Sequence, residues 1–76
     1  MSMSNRKIFF IATIREEKVN ETSDIEKHLR AARTIRITEV LPIAGIITGI
    51  TTDLALLEPF KKLGIESIEE DRHPHV

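Results

Sequence analysis

From Lys7 to Ile14 the chain reads Lys-Ile-Phe-Phe-Ile-Ala-Thr-Ile, an apolar run without the polar alternation of a half-exposed strand. As a strand it places Ile8, Phe10, Ala12 and Ile14 on one face and Phe9, Ile11 and Thr13 on the other. Two apolar faces predict a central strand covered on both sides. Arg15 to Asn20 is charged and reads as a connection. Ser23-Asp24-Ile25-Glu26 then has the form of a capping box, with Ser23 as N-cap, and Ile25, Leu29 and Ala32 keep helical spacing, so a helix is expected from Asp24 to about Ala32. Thr34 to Leu41 alternates, with Ile35 and Ile37 against Arg36 and Thr38, and stops at Pro42, as an edge strand does. Ile43 to Thr51 is apolar on both faces again and is expected to be another strand, joined by a tight hairpin around Pro42 and Ile43. Its Gly45 and Gly49 mark a bulge or a close backbone approach.

Thr52-Asp53 opens a second helix in which Leu54, Leu57, Phe60 and Leu63 recur at helical spacing before Gly64. Pro59 lies inside it and predicts a kink or a restart, because proline removes a hydrogen bond and crowds the preceding turn. Ile65 to Glu70 is the last strand. The order β-α-β-β-α-β predicts an α+β, ferredoxin-like fold: a four-stranded antiparallel sheet with both helices on one face. In that plan the first and third strands are central, and those are the two runs that are apolar on both sides. The helix-free face is therefore expected to present Phe9, Ile11 and Ile47 to a partner.

Seventy-six residues make one domain near the lower size limit for a single core. Residues 7–71 are assigned to it, with a disordered N-terminus over 1–6 and a flexible tail over 72–76. There is no cysteine, hence no disulfide and no thiolate site. A formal charge of −1 gives no general field for nucleic acid or an anionic membrane, and no apolar run approaches a bilayer span. Without a recognisable signal peptide the expected compartment is the cytoplasm. His73 and His75 stand two apart in the tail, but no acid or thiol at ligand spacing completes a metal site, so neither metal nor cofactor is expected. Lys61-Lys62 and the arginines between Arg30 and Arg36 lack the interleaved aromatics of a nucleic-acid platform. No nucleophile elbow or phosphate loop is present, and the expectation is a non-enzyme.

Two segments resemble the family of subtilisin propeptides and small peptidase inhibitors of the I9 type. They are Gly45-Ile46-Ile47-Thr48-Gly49-Ile50, followed by Thr51-Thr52 and the second helix, and Ile65-Glu66-Ser67-Ile68-Glu69-Glu70-Asp71. Gly45 to Ile50 is also similar to small bacterial proteins of the same plan, some named ketohydroxyglutarate aldolases, a chemistry that requires a desolvated lysine in a concave site. The inhibitor resemblance implies an inhibitor or folding chaperone of a subtilisin-like serine protease. Glu69 and Asp71 would cap two protease helices, and Arg72, His73, Pro74, His75 and Val76 would lie in the substrate cleft as an added strand. The alternative is a non-inhibitory structural or regulatory module that homodimerises through the open sheet face.

Overall fold

The computed structural model describes residues 7–72. The tail positions His73, Pro74, His75 and Val76, like residues 1–6, lie outside the described residues. Four strands, β1 (Ile8–Ile14), β2 (Ile35–Leu41), β3 (Ile46–Thr51) and β4 (Ile65–Glu70), form one sheet in the order β2-β3-β1-β4. All three pairings are antiparallel, and β1 and β3 are central as expected.

Helix α1 (Thr22–Arg30) packs Ile25 and Leu29 onto the sheet. The connection before it is ordered rather than loose: Glu16–Glu21 is a 3₁₀ segment that runs straight into α1. The helix therefore begins earlier than its capping-box pattern suggests. Its N-cap is Glu21, with no side-chain cap bond, and Ser23 lies within the helix. The buried Thr22 hydroxyl instead donates to the Val19 carbonyl at 2.7 Å, which joins the two segments.

The second helix, Leu54–Leu63, is 3₁₀ throughout. Asp53 caps it by accepting the Ala55 N–H at 2.9 Å. Pro59 sits within the tighter coil, where no regular α ladder is present for it to break. Gly64 ends the helix, and its carbonyl accepts the Arg15 N–H at 2.8 Å.

The core is Phe10, Ala12, Ile14, Ile25, Leu29, Ile35, Ile47, Leu57 and Ile65. Two bulges decide which side chains reach it. Between Ile37 and Glu39 the β2–β3 register shifts, so Ile35, Ile37 and Val40 all pack on the helix side although their spacing changes parity. A second shift, where β4 passes Thr13 and Ile14, does the same for Ile65 and Ile68.

The third strand starts at Ile46, not Ile43. Pro42 to Gly45 form the hairpin loop, and Ile43 at its tip is 96% exposed. Gly45 takes φ +70, donates to the Leu41 carbonyl at 2.9 Å and accepts from the Ile14 N–H at 2.7 Å, so the turn is tied to the end of β1. Gly49 is required for a different reason. It lies opposite Phe10, and a Cβ there would stand 2.7 Å from the ring's Cζ and 2.3 Å from the Arg36 carbonyl. Phe10 can fold across the sheet only because that strand has no side chain beneath the ring.

Candidate functional site: the helix-free face of the sheet

The strand registers define the uncovered face row by row. Phe9 lies opposite Ile50, Ile11 opposite Thr48, and Thr13 opposite Ile46. All six are half-buried by the chain's own neighbours and lie on the side away from the helices. Arg36, paired with Ile50, and Leu41, paired with Ile46, extend the rows onto β2. Ser67 and Glu69, paired with Thr13 and Ile11, extend them onto β4. The result is an apolar strip of Phe9, Ile11, Ile46 and Ile50 with hydroxyls set into it, a cation at one margin and a carboxylate at the other. The Thr38 and Thr48 hydroxyls share a hydrogen bond of 2.8 Å and so offer less polarity to a partner than their composition implies.

Ile47, expected on this face, is instead fully buried in the core opposite Ala12. The reason is parity: Gly49 must face Phe10 on the helix side, and Ile47 follows it two residues away. Ile46, Ile50, Leu41 and Arg36 take its place at the surface. The signal that could have found them is the pairing of a bulky Phe10 with a glycine on the facing central strand.

The acidic exit is only partly arranged as expected. Glu69 is exposed on the open face, but Glu70 lies opposite Phe10 on the helix side. Arg72 pairs with Glu70, their charged atoms 3.9 Å apart. Asp71 extends the ladder through its N–H to the Phe9 carbonyl at 2.6 Å. Of the predicted protease-binding residues the structure thus places Glu69, Asp71 and Arg72.

Both outer edges of the sheet are guarded. The β2 edge carries a bulge and ends at Pro42, and the β4 edge carries Glu66, Glu69 and Glu70. Bulges, prolines and charges are the devices that discourage a further strand from adding to an edge. The face, rather than either edge, is the surface left for association. On α1, His28 is exposed and bonded locally to the Asp24 carbonyl at 2.8 Å. Among the described residues no three histidines or acids converge as a metal site would require, and no helix is long and apolar enough to cross a membrane.

No family model matches the chain, and no curated protein does. Among solved structures, the solution structure of the E. coli Tat proofreading chaperone protein NapD aligns with a TM-score of 0.64 at 14% identity, covering 99% of this chain and 84% of that one. At that identity the likeness is one of fold, and it confirms the ferredoxin-like plan over the chain's length. It also corrects the reading of the chain as an inhibitor or folding chaperone of a subtilisin-like serine protease: the solved structure that matches is a Tat proofreading chaperone, and no inhibitor family model or curated inhibitor matches.

Proposed function

We infer that the chain is a non-catalytic binding module that holds an apolar segment of another polypeptide against the helix-free face of its sheet. The observation that carries this reading is the strip Phe9, Ile11, Ile46 and Ile50, which the chain's own helices leave uncovered while both sheet edges are protected. Apolar surface of this kind gains free energy when another molecule removes it from water. A chaperone role is supported by the architecture shared with a Tat proofreading chaperone.

The test is a titration of the labelled full chain with a peptide built on a run of apolar residues, followed by amide chemical shifts. Shifts are expected in the open-face rows of β1 and β3, with the helix residues around Leu29 and Leu57 unmoved. The double substitution Phe9→Ser, Ile11→Ser should weaken binding at least tenfold while leaving the spectrum dispersed. Shifts confined to the helix side, or none up to millimolar peptide, would refute the reading.

A second reading, closure of the same face by another copy of the chain, has one observation in its favour. Arg36 and Glu69 stand at opposite margins of the strip, as a self-complementary surface requires.

A further inference from the structure

Lys7, Arg33 and Arg36 surround an open cleft of ≈ 230 Å³ at the end of the sheet where β1 and β2 begin and β3 finishes. Thr34 and Thr52 also line it, Ile50 adds an apolar wall, and no carboxylate does. Among the described residues no ion pair holds any of these three cations, whereas Arg30, in the adjoining recess, is taken by Glu26. The hydroxyls of Thr34 and Thr52 likewise have no partner among the described side chains. The backbone that presents them is tied down: the buried Thr51 hydroxyl lies 3.1 Å from the Thr34 carbonyl and 3.4 Å from that of Asp53.

Three neighbouring cations repel one another, and an anion seated among them relieves that repulsion. The number of charges bears on which anion it is. A single carboxylate would leave two of the three uncompensated, whereas a phosphate carries close to two negative charges and three strong acceptor oxygens. Guanidinium groups present paired N–H donors that match phosphate oxygens, and a lysine serves as a point charge beside them.

We propose that this cleft binds a phosphate group, free or carried as a phosphomonoester by a small molecule. Arg33 and Arg36 supply the forked donors, Lys7 the third charge, and Thr34 and Thr52 the hydroxyl contacts. Ile50 belongs both to the cleft and to the open face, where it adjoins Phe9, so a phosphomonoester with a flat apolar body gains contacts that free phosphate lacks. A nucleic-acid strand is a poorer fit, because Glu69 and Glu70 lie along β4 and the basic group has no continuation across the sheet. The site shares Arg36 and Ile50 with the open face, but its anion-binding residues are argued without the polypeptide-binding reading.

The test is a titration of the ¹⁵N-labelled full chain with inorganic phosphate and with adenosine monophosphate, against sodium acetate and sodium chloride at matched ionic strength. The Arg33, Thr34 and Thr52 amides are expected to move saturably with both phosphate probes and only to drift with acetate and chloride. Tighter binding of the nucleotide assigns the site to a phosphomonoester; equal binding assigns it to free phosphate. Arg33→Ala with Arg36→Ala should abolish saturation with dispersion and melting retained, while Lys27→Ala with Lys62→Ala, which removes two exposed lysines outside the cleft, should change nothing. Acetate matching phosphate, indifference to the arginine variant, or an oligonucleotide binding tighter than the mononucleotide at the same salt would each overturn the proposal.

Discussion

At Gly49 a single hydrogen atom determines how the sheet is covered. The Phe10 ring occupies the space that any side chain at that position would need, and the Arg36 carbonyl closes the other direction. Gly49→Ala is therefore expected to destabilise the fold by about 1–3 kcal/mol, the usual range for overpacking a filled core. Urea denaturation would show it as a lower midpoint with an unchanged slope. Adding Phe10→Leu should return part of the loss, since the smaller side chain vacates the ring's position; two losses that simply add would mean that the backbone contact with Arg36 dominates. The same pairing holds Ile47 inside and turns Ile46 and Ile50 outward. The binding surface is thus a consequence of where one glycine must sit.

At the level of elements, what local pattern encodes and what tertiary structure imposes separate cleanly at the helix starts. Ser23 and Asp53 both look like N-caps, but only Asp53 caps, because the segment before α1 coils into the helix and moves its start back to Thr22. Asp53→Ala should cost about 1 kcal/mol, as the loss of a side-chain cap typically does, and Ser23→Ala close to nothing. Thermal melts of the two variants check this directly, and equal losses would restore the capping box. The element order, the central positions of β1 and β3 and the end of the second helix at Gly64 were legible because each rests on periodicity or on a breaker residue.

Less legible were features that depend on a partner strand. Ile43 reads as strand when only its apolar character is considered, yet the hairpin must turn between Leu41 and Ile46 and carries it to the tip. The bulges that bring Val40 and Ile68 to the core break the two-residue alternation without leaving a glycine or proline to mark them. The cleft brings Lys7 and the end of β3 to Arg33 and Arg36, three stretches separated along the chain, so the spacing of the two arginines alone could not reveal it. The acidic run could be read as a local feature, but its division between the two faces required the β1–β4 register.

For the molecule as a whole, the size of the open face limits what it can do alone. Four strands spaced about 4.8 Å apart and about six residues long present a face of roughly 400 Å², so two stacked copies would bury on the order of 800 Å². Stable protein interfaces bury about 1,200–2,000 Å², and this face is partly hydroxylic, so self-association should be weak. A twofold axis along the strands would stack β2 of one copy over β4 of the other, bringing Arg36 near Glu69 of its mate with an offset of about two residues, or roughly 7 Å along the strand. The 8.7 kDa chain is therefore expected to sediment as a monomer at low micromolar concentration and to show dimer only when concentrated. Glu69→Arg should suppress that dimer, and Glu69→Arg combined with Arg36→Glu should restore it, because the swap preserves complementarity across the axis. Restoration would identify the face as self-complementary, and a tight dimer at low micromolar would show that the area argument underestimates it. A monomer that stays monomeric at high concentration, and whose melting temperature rises only when an apolar peptide is added, leaves the strip to a foreign polypeptide, since a ligand that binds only the folded state stabilises it in proportion to its occupancy.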